Sequence, residues 1–329
     1  MLKNNTLDFL SSSKNLLAFS AGVDSTALFF LLKESKIKFD IAIVDYGLRE
    51  QSKEELSYAK ELSEKHNLKC FVKTSEKIDS NFEANARAIR YDFFENIIKE
   101  HGYDNLLTAH HLGDRFEWFM MQFCKGAGCV ELSGMKTVDK KDNYSIIRPL
   151  LHLDKSELLK YLKTKQIKYY EDQSNFDKSY TRNRFRHEFT NPLISEYLDG
   201  IKKSFEYIDS DVDALIEQIE VNVKDDFACF VSSKNKRSDI YTIDKYLKSI
   251  GYMMSANERE LLKTSESLVV GRKYIISIYK EYIFIAPYIN EEISMNKEFK
   301  DKMRKLNIDP KLRLYFYTHS DIFESLELA

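Results

Sequence analysis

The first half of the chain alternates short apolar runs with longer stretches of helical character, and this alternation restricts the possible folds more than any other feature. Runs typical of strands occupy residues 16–19, 39–44, 69–73 and 105–108, with a weaker one at 144–147. Helical stretches occupy residues 26–33, 53–65, 83–101 and 114–123. Connections of this length indicate right-handed strand–helix–strand units and a parallel sheet. The sequence therefore predicts an α/β fold, with a Rossmann-like parallel sheet and helices on both faces.

The second half of the chain has a different pattern. Beyond a helical stretch at 196–220, short β-like runs resume, at residues 227–231, 274–279, 282–286 and 312–317. A helix is predicted after Ser255, because Ser255 and Glu258 have the spacing of a capping box. We predict three parts: an α/β domain at 1–195, a helical linker at 196–220 and a small C-terminal α+β domain at 221–329.

Composition excludes several classes of protein. Hydrophobic residues make up 43% and charged residues 31% of the 329, which is typical of a globular chain. No apolar stretch approaches the roughly 18–20 residues that span a bilayer, and the first residues lack the pattern of a signal peptide. We expect a cytoplasmic protein with no membrane partner. The net charge of −2 argues against general coating of nucleic acids, although basic residues cluster at 182–186, 234–237 and 297–313.

A loop of small and polar residues follows the first predicted strand. Residues 20–25 read Ser-Ala-Gly-Val-Asp-Ser and precede a helix. Unpaired N–H groups at a helix N-terminus bind anions, and small residues let phosphate oxygens approach the backbone. Asp24 would repel phosphate unless a cation such as Mg²⁺ lies between them. The alternative is an ordinary helix start capped by Ser25 or Asp24.

A second candidate cluster follows the strand at 105–108. On a helix, His110 and Asp114 are four residues apart and Asp114 and Glu117 are three apart, so all three can share one face. Paired carboxylates there can hold Mg²⁺, or orient an amine and accept its proton. The alternative is that His110 and His111 cap the helix and pack, while Asp114 and Glu117 only favour the positive end of the helix.

The loop resembles the Ser-Gly-Gly-x-Asp-Ser motif of the N-type ATP pyrophosphatases, the PP-loop superfamily, which split ATP into AMP and pyrophosphate. The resemblance implies an ATP site formed by Ser20, Ala21, Gly22, Val23, Asp24 and Ser25. It also implies that Asp24 holds Mg²⁺. Ala21 replaces the usual glycine, and we expect its methyl group to be tolerated if its φ is negative.

Residues 108–135 are similar to the tRNA(Ile)-lysidine synthetase family, whose pattern is Thr-Ala-His-His-x-x-Asp-x-x-Glu followed by a glycine-rich loop. Further segments match in order, at residues 44–49, 83–91, 148–151, 172–175 and 182–186, so the resemblance spans residues 14–193. Three positions depart from the pattern. Tyr46 replaces a frequent His, Lys125 a common Arg and Gln173 the usual Pro.

This second resemblance implies ATP-dependent ligation of free L-lysine to C2 of the wobble cytidine of tRNA(Ile) with a CAU anticodon. The cytosine is first adenylated with release of pyrophosphate, and the lysine ε-amine then expels AMP. The implied catalytic residues are Asp24, His110, Asp114 and Glu117, with ATP and Mg²⁺ as cofactors. The implied substrate and RNA contacts are Arg49, Arg87, Arg90, Lys125, Arg182 and Arg186. The C-terminal domain is implicated in holding tRNA, and an oligomer remains open.

Two other functions remain as alternatives. A tRNA 2-thiolation enzyme would share the loop but relies on cysteines, often in Cys-x-x-Cys, whereas Cys124 and Cys129 have four residues between them. A non-catalytic, nucleotide-binding RNA adaptor would keep the loop and the basic clusters without needing His110, Asp114 and Glu117 together.

Overall fold

The computed structural model describes residues 1–47, 50–75, 78, 82–171, 181–291 and 293–326, and the chain divides into two compact units, Met1–Asp209 and Ser210–Ala329. The helices of the first unit are α1 (Asn4–Ser11), α2 (Val23–Glu34), α3 (Glu50–His66), α4 (Phe82–His101), α5 (Leu112–Phe123), α6 (Cys129–Ser133), α7 (Lys155–Thr164), α8 (Thr181–Phe185) and a π-helical turn at Arg186–Thr190, and the long helix α9 (Asn191–Leu215) follows. None of the described helices is long and apolar enough to cross a bilayer.

The first unit contains a six-stranded sheet. Its strands are β1 (Asn15–Ala18), β2 (Phe39–Asp45), β3 (Cys70–Thr74), β4 (Asn105–Leu107), β5 (Val138–Lys140) and β6 (Ser145–Ile147). Their order is β3-β2-β1-β4-β6-β5, and every pairing is parallel except that of β5 with β6. This confirms the predicted α/β fold. Strand β5 was not predicted, since its exposed Val138 and Lys140 give it no apolar run.

Helices cover both faces of this sheet, as predicted. Successive side chains of a strand point to opposite faces. Leu17 of β1 packs in one core with residues of α2, α3 and α7, whereas its neighbour Leu16 packs in a second core with Phe94 and Ile97 of α4. Strands buried on both faces read as continuous apolar runs, and for this reason β1, β2 and β4 were recognisable in the sequence. Strand β3, at the edge of the sheet, is only partly buried.

The order of strands reverses between β1 and β4. Ligands bind at such a switch point, beyond the carboxyl ends of the strands. The loop after β1 and the N-terminus of α5 after β4 therefore lie at the same edge of the sheet. Both candidate clusters meet there.

Helix α5 is fixed to α9 by an apolar contact and by an ion pair whose arginine is buried. Leu112 and Phe116 pack against Phe205. Arg115, 5% exposed, donates to Asp209 Oδ2 at 3.0 Å and to the carbonyl oxygen of Ser133 at 3.0 Å, and its guanidinium lies 4.3 Å from the Phe205 ring centre.

The second unit is built on an antiparallel sheet. Its strands are β7 (Asn222–Lys224), β8 (Phe227–Val231), β9 (Ser267–Val270), β10 (Tyr274–Tyr279) and β11 (Tyr282–Pro287), in the order β7-β8-β11-β10-β9. Helices α10 (Lys236–Ser249) and α11 (Ala256–Leu262) precede β9, and α12 (Lys297–Lys305), α13 (Arg313–Thr318) and α14 (Ser320–Ser325) follow β11. Ser255 and Glu258 form the predicted capping box.

The strand predicted at 312–317 is wrong, because this segment is helix α13. Its aromatic residues have high β-propensity, but Leu312, Tyr315 and Phe316 are buried together at helical spacing. They pack on Phe227 and Phe284 of the sheet. Tertiary packing therefore overrides the local preference.

Candidate functional site

The loop at 19–22 leads from β1 into the N-terminus of α2. Gly22 is the N-cap residue, and no side chain caps the helix, so the alternative of a cap by Ser25 or Asp24 is wrong. The Ser25 hydroxyl instead accepts the Ser20 N–H at 3.2 Å and lies 3.0 Å from Ser20 Oγ. Two hydroxyls and the first N–H groups of a helix are therefore gathered at one point. Such a group of donors suits phosphate oxygens.

Ala21 does not have the negative φ that was expected from the sequence. Its φ is +57°, in the left-handed region, and its side chain is fully buried. Its carbonyl oxygen accepts the N–H of Tyr170 at 3.0 Å, and this contact holds the loop conformation. A left-handed conformation costs a non-glycine residue about 1–2 kcal/mol, so the loop carries local strain.

The valine variant Ala21→Val is expected to lower the free energy of unfolding by about 2–4 kcal/mol, because a β-branched residue at positive φ adds to overpacking of a full core. Urea unfolding measures this change. Ala21→Gly is the matched control, and its free energy of unfolding should stay within about 1 kcal/mol of that of the parent. Glycine relieves the backbone strain but raises the conformational entropy of the unfolded chain, and these two effects oppose each other. A valine variant as stable as the parent would contradict the left-handed conformation.

His111 links the loop to helix α5. As N-cap of α5, it accepts the Gly113 N–H at Nδ1, 2.9 Å away. The neutral ring therefore carries its proton on Nε2, which lies 3.6 Å from Asp114 Oδ2 and 3.8 Å from Asp24 Oδ2. The carboxylates of the two predicted clusters thus face the same imidazole N–H. His111 adjoins His110 in the same motif but was not predicted as a site residue.

His110 lies outside the helix, because α5 begins at Leu112, so the shared helical face predicted for His110 is wrong. Its Nδ1 is 2.9 Å from the Thr108 hydroxyl oxygen. Burial lowers the pKa of the imidazole from 6.5 to about 4, and nearby arginines contribute. His110 is therefore neutral near pH 7.

This pKa predicts a pH dependence of stability. Because the fold disfavours the charged imidazole, the contribution of His110 is present above pH 6.5 and is lost as the pH falls towards about 4. Between those values the parent should lose about 1–2 kcal/mol more than His110→Gln does, allowing for partial exposure of the ring. Urea unfolding of both proteins at neutral and acidic pH measures the difference. Equal losses in both would contradict the lowered pKa.

Asp114 and Glu117 are paired with two arginines. Arg186 donates to Asp114 Oδ1 at 3.1 Å and to Glu117 Oε2 at 2.9 Å. Arg182 donates to Asp114 Oδ1 at 3.3 Å and also to Glu117 Oε1. Glu117 is 1% exposed, so its charge is stabilised by these partners rather than by water.

Burial alone would raise the pKa of Asp114, but His111, His110, Arg182 and Arg186 more than offset it and hold that pKa well below its usual range. Asp114 is therefore ionised at neutral pH. The cluster offers two carboxylates and two guanidinium groups, which suits a substrate that carries both signs of charge.

Asp24 has a buried oxygen without a protein partner. Among the described residues, nothing forms a hydrogen bond with Asp24 Oδ1, and burial raises the pKa of the carboxyl group. An orphaned carboxylate oxygen beside an anion-binding loop fits Mg²⁺. In the described ranges no three His, Cys, Asp or Glu residues gather into a metal site. The protein would thus supply one ligand, and phosphates and water the others, as Mg²⁺ commonly requires.

The remaining predicted residues are less tightly grouped. Arg87 lies over the Tyr91 ring at 4.6 Å, and Arg90 and Lys125 are exposed. Tyr46 ties the end of β2 to α4 by donating to the Ala86 carbonyl oxygen at 3.0 Å. Arg49 lies outside the described residues, as do 172–175 of the family pattern.

A family model and the sequence relatives agree on one family. A family model described as a PP-loop domain matches residues 2–193. A tRNA(Ile)-lysidine synthase from Helicobacter pylori is 43% identical over 312 residues, covering 94% of this chain and 91% of that protein. One from Campylobacter jejuni is 40% identical and covers 99% of both chains. Among solved structures, the U34-tRNA thiolase NcsA from Methanococcus maripaludis superimposes with a TM-score of 0.54 at 17% identity, over 77% of this chain and 85% of that one, which shows the fold alone.

Proposed function

Because this chain belongs to the tRNA(Ile)-lysidine synthase family of PP-loop proteins, we propose that it ligates free L-lysine to C2 of the wobble cytidine of a tRNA(Ile) with a CAU anticodon, using ATP. The products are lysidine, AMP and pyrophosphate. The modified base changes codon recognition from that of Met to that of Ile. The observation that carries this proposal is the position of Asp24 and Asp114 on either side of His111, at 3.8 and 3.6 Å. This position brings the loop proposed to bind ATP next to the carboxylates proposed to bind the amine.

In the first step the cytosine O2 attacks the α-phosphorus of ATP, and the bond to pyrophosphate breaks. Ser20, Ser25 and the N-terminal N–H groups of α2 bind the pyrophosphate, where negative charge grows as the bond breaks. Fixed donors at that point lower the barrier. Mg²⁺ held by Asp24 would neutralise part of the phosphate charge.

In the second step the lysine ε-amine attacks C2, and AMP leaves. An ammonium cannot attack, so it must first lose a proton. We assign Asp114 and Glu117 to orient the amine, and Glu117 or neutral His110 to take up that proton, because the lowered pKa of Asp114 makes it a weak base. For the ammonium to reach these carboxylates, Arg182 or Arg186 must give up its ion pairs with them. The released guanidinium can then bind a phosphate or the lysine carboxylate.

The tRNA requires contacts beyond the reacting base. We propose that Arg87, Arg90 and Lys125 contact the RNA backbone in the catalytic domain (1–195), and that the C-terminal domain (221–329) after the linker (196–220) holds the rest of the tRNA. The exposed basic residues of α12 support this role, since its last turn carries Lys302, Arg304 and Lys305. A cytoplasmic location follows from a tRNA substrate.

The alternatives have less support. No disulfide joins any two of Cys70, Cys124, Cys129 and Cys229, and the relatives of 40–43% identity are named for lysidine synthesis and not for sulfur transfer. An adaptor without catalysis would not need Glu117 buried between two arginines beside an ATP loop.

The direct test is incorporation of radiolabelled lysine. The purified protein is incubated with ATP, Mg²⁺, labelled lysine and unmodified tRNA(Ile) carrying the CAU anticodon. Label in the RNA that requires ATP, and that is absent when the anticodon C is replaced by U, supports the proposal. ATP binding without incorporation of label would contradict it and favour the adaptor.

A further inference from the structure

Trp118, the single tryptophan of the chain, lies next to the acidic cluster. It follows Glu117 directly and is four residues beyond Asp114, so it shares the helical face of Asp114 about 6 Å farther along α5. The residue is 43% exposed. A large aromatic side chain is therefore kept in water beside the proposed reaction site.

The indole is held in one orientation. Its Nε1–H donates to the Glu131 carbonyl oxygen at 3.1 Å. Gly134 adopts a φ of +64°, and a Cβ there would lie 2.6 Å from Trp118 Cδ1. Only glycine lets this loop pack so closely against the indole. The ring is thus preorganised by a hydrogen bond and by a backbone contact, and it loses little conformational entropy when it binds a ligand.

The contacts with Glu131 and Gly134 cover only part of the indole. The aromatic residues that stack along α5 are Phe116, Phe119 and Phe123, with centroids 6.0 Å apart at each step, on a different side of the helix. Trp118 does not belong to that stack. Its exposed surface is available to a ligand.

Cationic side chains lie at both ends of α5, and those at the Asp114 end are ion-paired with Asp114 and Glu117. Arg182, whose side chain is 41% exposed, and Arg186 lie at the Asp114 end, and exposed Lys125 follows the other end of the helix. A flat aromatic surface between cations matches single-stranded RNA, whose bases stack on aromatic rings while its phosphates contact Arg and Lys.

We propose that Trp118 is a stacking site for an unpaired base of the anticodon loop, adjacent to the cytidine that reacts. The proposal rests on the proposed function in taking the CAU anticodon loop as the substrate and its cytidine as the reacting base. A stacked neighbour would help to keep the reacting base out of the loop's own stack and would fix its distance from Asp114. Trp118 is thus a positioning residue.

The test uses the tryptophan as its own probe. A CAU anticodon stem-loop is titrated into the full-length protein without ATP or lysine, and the tryptophan emission is recorded. Stacking of a base on the indole quenches this emission, so we expect saturable quenching by the stem-loop and little by a fully paired duplex of the same stem. No quenching at saturation, or equal quenching by the duplex, would overturn the proposal.

Variants give a second readout through RNA affinity, measured with a labelled stem-loop. Trp118→Ala should weaken binding about 5- to 100-fold, the usual effect of losing one base–aromatic stack, and Trp118→Phe should keep most of the affinity. Phe123→Ala is the matched control, since Phe123 is 61% exposed on the same helix but outside the proposed site, and its affinity should stay within about twofold. Parental affinity in both Trp118 variants would overturn the proposal.

The two proposals fail separately. If the parent protein shows quenching by the stem-loop but does not incorporate lysine, the proposed function is contradicted and the stacking site is supported. If the parent protein incorporates lysine but Trp118→Ala binds RNA with unchanged affinity, the stacking site is contradicted and the proposed function is supported.

Discussion

Replacing Glu117 with glutamine is expected to reduce lysine ligation by about 10²–10⁴-fold, while ATP binding changes by no more than about twofold. The amide keeps the shape of the carboxylate but cannot carry negative charge or accept the proton of the amine. Ligation is measured as labelled lysine in the CAU tRNA at saturating ATP. Pyrophosphate release in the presence of ATP and tRNA but without lysine reports the first step. This step should continue in Glu117→Gln.

Glu206→Gln is the control for this variant, since Glu206 forms an exposed pair with Lys203 and should be replaceable within about twofold. Loss of one partner also leaves Arg182 and Arg186 less well compensated, so thermal unfolding of Glu117→Gln must be measured alongside. A folded variant that ligates lysine at the parental rate would refute the role given to Glu117.

The second large effect is expected for Asp24→Asn, in which pyrophosphate release should fall at least about 10²-fold, because the carboxylate that we propose as a Mg²⁺ ligand beside the phosphates is lost. The apo variant should nevertheless be more stable at neutral pH, by about 1 kcal/mol, since the buried Oδ1 has no partner. Burial raises the pKa of this carboxyl group, so its destabilising charge is present at neutral pH and disappears in acid.

The gain in stability should therefore vanish as the pH falls below about 4, the usual range of an aspartate pKa. Urea unfolding without nucleotide measures stability, and pyrophosphate release against Mg²⁺ concentration measures activity. Asp142→Asn, at an exposed aspartate, is the control and should change neither quantity. An Asp24→Asn variant with parental activity would exclude Asp24 from the metal site.

The sheet was predictable because its central strands β1, β2 and β4 are buried on both faces, and the position of the loop followed from the alternation of strands and helices. The ion pairs were not predictable. Arg182 and Glu117 are 65 residues apart and Arg115 and Asp209 are 94 apart, so no local pattern connects them. Composition showed a basic cluster at 182–186 and an acidic pair on α5 but not that they neutralise each other.

Backbone geometry explains the local errors. The left-handed φ of Ala21 depends on the contact of its carbonyl with Tyr170, which comes from a distant segment. The roles of His110 and His111 depend on where α5 begins, and a shift of one residue there changes which imidazole faces Asp24. Positions at element boundaries are the least well specified by propensity.

Two consecutive residues of α5 are held by different networks. Asp114 is bound by Arg182, Arg186 and His111, whereas Arg115 is bound by Asp209 and the Ser133 carbonyl and lies against Phe205. Any rotation of the helix about its own axis would break contacts on both sides at once. The fold thus fixes the orientation of Asp114 and Glu117 before lysine or RNA binds. A substrate must align itself with the helix, and errors in that alignment would be rejected without movement of the protein.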